Sequence, residues 1–319
     1  MNFTGCIIAK NEEKHIAGAI RSLLPICSQI VVVDTGSIDD TPKIAANSNC
    51  EIYFKKWNND FSEMRNFALG FARSHWIIFL DADEVLLPFS SEQNQKIFQD
   101  DRIGGVSCII KNYLTDDRTS FIEHRYTRIF RNHPKIRYQG AVHEQISESI
   151  FELGLEIIEA DITIEHFGYI DNSTEKKQRN LELIKKELAQ NPSDYLLFHL
   201  ANTEFSMNNL ITAKEIFLKI LSSRDLSVEN LELSQLRLFQ IATSLNDWKY
   251  ILEHQNYVFS NSNYEGLKQF ILAACFMHRK QWEKAYHCLL SAEKCNSSLV
   301  DRELLRKSIE AVEKYIDFF

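Results

Sequence analysis

Three carboxylates fall within four positions at Asp81-Ala82-Asp83-Glu84, straight after the apolar run Trp76-Ile77-Ile78-Phe79-Leu80. A short unbroken apolar run reads as a strand buried on both faces. Its acidic end then falls at the carboxyl edge of a parallel sheet, where open α/β folds bind ligands. Alternate residues of an extended segment face the same way, so Asp81 and Asp83 would share one side. Two convergent carboxylates suit a hard divalent cation that keeps waters and grips a diphosphate. A turn with ordinary surface acids would look the same locally, because acidic residues are common after strands.

Other residues could join that chemistry. Asp34 ends the run Ile30-Val31-Val32-Val33 just before Gly36. A carboxylate there could accept hydrogen bonds from a nucleotide base or ribose, or could simply shape a turn. Asn11 follows the first apolar run and could contact the same nucleotide; Glu12 and Glu13 equally suit the first turn of a helix. Arg65 sits near a predicted helix start, in reach of a phosphate or base, or in a surface ion pair. Arg128, Arg131, His133, Arg137, His143 and Glu144 crowd a later stretch. His166, the cysteines and Trp57 are read as packing residues.

The elements that must hold these residues alternate. Gly5 to Ala9 reads as a strand, Glu12 to Leu24 as a helix ended by Pro25, Ile30 to Val33 as a strand, and Glu51 to Phe54 as another. Ser62 opens a further helix before the Trp76–Leu80 strand. Strand and helix in turn, with short connections, predict a parallel three-layer α/β sheet. From about residue 103 the pattern changes to strands at Gly105–Ile110, Phe121–Phe130 and Ile162–Phe167. Beyond Gly168 the pattern is helical throughout, with a helix start expected at Asn172-Ser173-Thr174-Glu175.

The helical part repeats weakly. Ala201 and Ala213 are separated by twelve positions, as are Ala273 and Ala285, and a large apolar residue follows each second alanine by four, Phe217 and Leu289. Small residues at such spacing let two helices approach, as in tetratricopeptide pairs. A degenerate middle unit is expected over roughly 233–259. We therefore expect two domains, residues 1–170 and 171–319.

A net charge of −8 argues against general binding to nucleic acid or membrane surfaces. The seven cysteines contain no Cys-x-x-Cys pair, which points to a reducing cytoplasm without a disulfide framework or zinc site. No apolar run is long enough for a membrane-spanning helix.

Taken together, Cys6-Ile7-Ile8-Ala9-Lys10-Asn11-Glu12, Val31-Val32-Val33-Asp34-Thr35-Gly36-Ser37-Ile38-Asp39-Asp40-Thr41, Arg65-Asn66 and Phe79-Leu80-Asp81-Ala82-Asp83-Glu84 resemble glycosyltransferase family 2, the nucleotide-sugar transferases of the GT-A fold. The resemblance covers about residues 1–170. The stretches Arg128-Ile129-Phe130-Arg131 and Tyr138-Gln139-Gly140-Ala141-Val142-His143-Glu144 look like those of small bacterial members. Some of these extend cell-surface glycans. Others, the sublancin-type transferases, glycosylate side chains of small peptides and carry helical repeats behind the catalytic domain. The resemblance implies an inverting displacement from a UDP-hexose, UDP-glucose foremost, helped by Mg2+ or Mn2+. It implies that Asp34 holds the uridine, Asp81 borders the ribose and diphosphate, and Asp83 reaches the metal. Ala9, Asn11, Glu12, Arg65, Ala82, Arg128 and His143 complete the expected donor-binding set. The reaction needs a base for the acceptor proton and positive groups for the leaving diphosphate. Glu144 is the candidate base, and His143 the candidate ligand for metal or diphosphate. One of Arg128 and Arg131 is expected on the diphosphate. The expected acceptor is a peptide or protein side chain, with a homodimer through the helical part as a further expectation. A surface-glycan transferase and a non-catalytic scaffold are the competing readings.

Overall fold

The computed structural model describes residues 2–90, 94–113, 115, 118–119, 121–168 and 174–316. The chain divides into two compact units, Met1–Ser173 and Thr174–Phe319.

The first unit is built on one eight-stranded mixed sheet. Its first half holds β1 (Phe3–Ala9), β2 (Cys27–Asp34), β3 (Glu51–Phe54) and β4 (Trp76–Asp81). These four are mutually parallel, in the order β3-β2-β1-β4. Side chains alternate between two cores, as period two requires. Phe3, Ile7, Val32, Ile78 and Leu80 face one way, against Ile16, Ile20 and Leu23 of α1 (Ile16–Leu23). Cys6, Ile8, Val31, Val33, Ile77 and Phe79 face the other, against Met64, Ala68 and Leu69 of α3 (Phe61–Leu69). Asp60 caps α3 by accepting the Glu63 N–H at 2.9 Å. The short α2 (Thr41–Ala46) follows β2.

The second half continues the sheet through β6 (Ile103–Tyr113), β7 (Phe121–Arg131) and β8 (Glu156–His166), with β5 (Glu84–Leu86) at the edge. Between them lie the short helices α4 (Gln95–Gln99) and α5 (Ser147–Phe151). Here β7 runs antiparallel to β4 and β6, and β5 antiparallel to β8. The sheet therefore curls: β5 lies strands away from β4 in hydrogen-bonding order, yet follows it after Ala82-Asp83.

Two local expectations need correction. Helix α1 starts at Ile16, not Glu12, because the Glu12 N–H donates to Thr41 Oγ1 (2.7 Å) and the Glu13 N–H to Asp39 Oδ2 (3.2 Å). Residues 12–15 form a turn closed by the His15 and Ile16 N–H groups on the Glu12 carbonyl (3.0 and 2.9 Å), and the Glu12 and Glu13 N–H groups brace the loop after β2. The segment 81–84 is not extended throughout: Ala82 and Asp83 form a turn between β4 and β5. The alternation that would aim Asp81 and Asp83 together is broken there.

The second unit is helical: α6 (Thr174–Gln190), α7 (Asp194–Ser206), α8 (Leu210–Ile220), α9 (Val228–Ser244), α10 (Trp248–Glu253), α11 (Ser262–His278), α12 (Trp282–Cys295) and α13 (Arg302–Ile316). The expected start at Asn172-Ser173 lies outside the described residues, as does the boundary expected between residues 170 and 171. The alanines of the sequence repeat, Ala201, Ala213, Ala273 and Ala285, are all fully buried, and Phe217 and Leu289 fill the same core. Pairs α7–α8, α9–α10 and α11–α12 share one turn. Asn208, Asn246 and Lys280 adopt positive φ of 62°, 55° and 58°. The next N–H then reaches back five residues, from Asn209 to Glu204 (2.9 Å), Asp247 to Ala242 (2.7 Å) and Gln281 to Phe276 (2.9 Å). This is a Schellman end with asparagine or lysine where glycine is usual, which is why the repeat lacks a glycine signature. The described cysteines are all free, and no described helix is long and apolar enough to cross a membrane.

Candidate active site

The carboxyl ends of β1, β2 and β4 meet at one edge. Ala9 pairs with Asp34, and Ile8 with Asp81. Asp34 and Asp81 thus flank β1 on either side, two strand spacings apart, or about 10 Å. The Oδ1 atom of Asp34 accepts the N–H groups of Gly36 (2.9 Å) and Ser37 (3.0 Å), a turn that Gly36 permits with φ of 108°. Its Oδ2 atom is buried with no partner, and the residue is 2% exposed. Asn11, with φ of 56°, ties this loop down: Asn11 N–H donates to Ser37 Oγ and Asn11 Oδ1 accepts the Ile38 N–H, both at 2.9 Å.

Asp81 lies in a network of charges. Arg65 Nη2 donates to Asp81 Oδ1 (2.7 Å), and Arg65 Nε to Glu144 Oε1. Arg128 Nη2 donates to Asp81 Oδ2 (2.8 Å) and to Glu84 Oε1 (2.6 Å). Glu84 Oε2 accepts the Asp81 N–H at 2.8 Å. The Arg65 guanidinium lies over the rings of Phe79 (4.6 Å) and Tyr138 (5.3 Å), and that of Arg128 over Tyr126 (5.0 Å). Burial alone would push the Asp81 carboxyl up, but Arg65 and Arg128 outweigh it and hold it well below the usual carboxylate range. Glu84 goes the other way: burial raises it, Arg128 opposes, and Asp81 adds repulsion. Both arginines fix Asp81, and each keeps one buried nitrogen without a partner, Arg65 Nη1 and Arg128 Nε. Arg131 points elsewhere, donating to the Ile103 and Asp100 carbonyls at 2.7 and 2.8 Å.

Glu144 sits in a closed loop. Gln139 and Gln145 exchange two backbone hydrogen bonds of 2.9 Å, Phe61 N–H donates to the Ala141 carbonyl at 2.9 Å, and Asn66 holds both the N–H and carbonyl of Tyr138 at 2.9 Å. The Tyr126 hydroxyl donates to the Glu144 carbonyl. His143, beside it, has φ of 53°, and burial depresses its pKa to about 4, leaving a neutral imidazole.

Asp83 has a partner that the sequence reading set aside as structural. His166 Nε2 lies 3.5 Å from Asp83 Oδ2. The pairing of β5 with β8 brings them together: Glu84 is opposite His166, and the Phe167 N–H donates to the Asp83 carbonyl at 3.1 Å. Burial disfavours the imidazolium, but Asp83 prevails and raises the His166 pKa to about 8. Gly168 packs so closely that a β-carbon there would lie 1.7 Å from Asp83 Oδ2. No cluster of three or more His, Cys, Asp or Glu suited to a metal occurs among the described residues. Glu84, Tyr126, Tyr138, His166 and Gly168 were not assigned from sequence. Glu84 and Tyr138 stood in the stretches that carry the resemblance, and Tyr126 and His166 within expected strands, with nothing local to mark their partners.

Residues 5–154 match the model of glycosyl transferase family 2. The SPbeta prophage-derived glycosyltransferase SunS of Bacillus subtilis is 31% identical over 59% of this chain and 45% of its own length. A TPR repeat-containing protein of Synechococcus elongatus is 28% identical over 60% of this chain and 49% of its own. The chain thus spans about half the length of these two relatives. Among solved structures, glucosyl-3-phosphoglycerate synthase of Mycobacterium tuberculosis matches 59% of this chain and 79% of that one, at 16% identity and a TM-score of 0.41. The first unit is a mixed-sheet α/β domain and the second is all-α; the match to glycosyl transferase family 2 covers residues 5–154 of the first.

Proposed function

We propose that the chain is an inverting hexosyltransferase that moves a sugar from a UDP-sugar, UDP-glucose foremost, to a cysteine, serine or threonine side chain of a peptide or protein. The observation that carries this is the buried, unpartnered Oδ2 of Asp34 on the same sheet edge as Asp81 and Asp83. An unmet buried acceptor costs about 1–3 kcal/mol, more when charged. A uracil N–H or a ribose hydroxyl would meet it. Ala9 and Asn11 flank that place, Glu12 continues the brace, and Asp81 with Ala82 borders the ribose and diphosphate. Arg65 and Arg128 serve the donor by keeping Asp81 ionised and fixed. His143, neutral, suits a hydrogen bond to a diphosphate oxygen.

Asp83 and His166, an oxygen and a nitrogen donor facing one another, suit Mg2+ or Mn2+ whose other positions are filled by diphosphate and water. His166 joins the expected Asp83 and His143, because the pairing of β5 with β8 brings it to Asp83. When bound, the cation offsets the charge growing on the departing diphosphate. Glu144 is the base. Arg65 engages its Oε1, and Oε2 has no described partner. The acceptor oxygen or sulfur bonds to the anomeric carbon, its proton passes to Glu144, and the carbon–oxygen bond to UDP breaks with the electron pair leaving on the diphosphate. The helix pairs support a polypeptide acceptor, since stacked pairs form extended binding surfaces.

The test is release of UDP from UDP-glucose, UDP-galactose and UDP-N-acetylglucosamine with Mn2+, together with a hexose mass gain on Cys-, Ser- or Thr-containing peptides. Asp83→Asn should lower turnover by at least ~100-fold, the scale of losing a main electrostatic contributor. Failure of all three donors, with and without peptides, would overturn the assignment.

A further inference from the structure

Asn112 of β6 is 5% exposed and is held on both sides. It lies opposite Ile122 of β7 and opposite His166 of β8. Its Oδ1 is 2.7 Å from His166 Nδ1, and its Nδ2 is 2.9 Å from His124 Nδ1 and 3.4 Å from the Ile122 carbonyl. An amide oxygen only accepts, and an amide nitrogen only donates. With Nδ2 committed to His124 and the Ile122 carbonyl, Oδ1 faces the imidazole, and His166 Nδ1 must carry its hydrogen. The remaining ring nitrogen, Nε2, is the one 3.5 Å from Asp83. A buried polar residue is costly unless its groups are met, and here the contacts of Asn112 hold one orientation of the His166 ring.

We infer that Asn112, itself oriented by His124, is a positioning residue that fixes the tautomer and aim of His166, presenting Nε2 with Asp83 to a divalent cation. This rests on the cation reading of Asp83 and His166 given above. Partners behind a metal-binding histidine change metal affinity by about 10–100-fold when removed. Asn112 never touches donor or acceptor in this role.

The test uses the full chain and Mn2+ alone, without nucleotide, with free Mn2+ read by electron paramagnetic resonance. Asn112→Leu keeps the size and removes the acceptor; it should weaken Mn2+ binding by about 10–100-fold. Asn112→Asp restores an acceptor for His166 Nδ1 and should recover most of the affinity. On 15N-histidine-labelled protein, at the pH where the spectra themselves show His166 deprotonated, the wild type and Asn112→Asp should show the Nδ1–H tautomer, and Asn112→Leu should lose that preference. Equal Mn2+ affinity in wild type and Asn112→Leu would overturn the role of Asn112 and leave the cation site standing. No Mn2+ binding by the wild type even when UDP is added to supply the diphosphate oxygens would instead remove the cation site on which the role depends. Should Asn112→Leu fail to fold, the wild-type spectrum decides: an Nε2–H tautomer at His166 overturns the inference.

Discussion

At the scale of single residues, the site is organised by which carboxylate meets which cation. Asp81 is bound by two arginines, so it stays ionised and still; Asp83 faces His166. Gly168 decides how close the backbone comes to that carboxylate. In Gly168→Ala the new methyl would collide with Asp83 Oδ2, a side-chain tip that can rotate away. We expect the Tm to hold within a few degrees while Mn2+-dependent UDP release falls at least ~10-fold, the scale of disturbing a ligand's support. Unchanged release would show that the position of Asp83 does not matter. His143 gives a pH signature. Its pKa is about 4 in the folded chain against an ordinary 6.5, so the unfolded chain binds the proton first. Its contribution to stability is whole above pH 6.5 and is lost as pH falls toward 4. His143→Asn suits the positive φ and does not titrate. Its urea midpoint should fall less steeply than that of the wild type between pH 6.5 and 4; identical slopes would refute the assignment.

At the scale of elements, two kinds of turn do the positioning. In the sheet, Ala82-Asp83 sends the chain from β4 into β5, and β5 recruits β8, which brings His166 to Asp83. In the helical unit, each of three helix pairs turns on one left-handed residue. Asn246→Gly should be nearly neutral there, whereas Asn246→Val should cost about 1–2 kcal/mol because a branched side chain resists that conformation. Urea denaturation followed by circular dichroism measures both, and equal stabilities would remove the turn argument. The parallel strands, their order of loops and the alanine pairing were legible in the sequence, since each depends on local periodicity. The start of α1 was not, because Glu12 and Glu13 bond to Thr41 and Asp39, residues far along the chain.

At the scale of the whole molecule, each unit has its own apolar core: two sandwiching the sheet, one threading the helix pairs. A domain with its own core can in principle fold alone. Residues 1–173, expressed alone, should melt cooperatively and hydrolyse UDP-glucose slowly, yet fail to transfer to a peptide. Full peptide transfer by that fragment, checked by mass spectrometry, would exclude an acceptor role for residues 174–319.

The sequence by itself determined the strands whose residues alternate or run apolar, the acidic edge at Asp34, Asp81 and Asp83, and the helical second half. Those follow from neighbour-to-neighbour patterning, which one dimension records. Only the tertiary structure decided that Arg65 and Arg128 turn to carboxylates, that Asp83 faces His166, and that Asn112 stands behind that ring. Such pairings join residues tens of positions apart, through the curl of the sheet and the register of β5 on β8 and β8 on β6, and no local period encodes a register between distant strands.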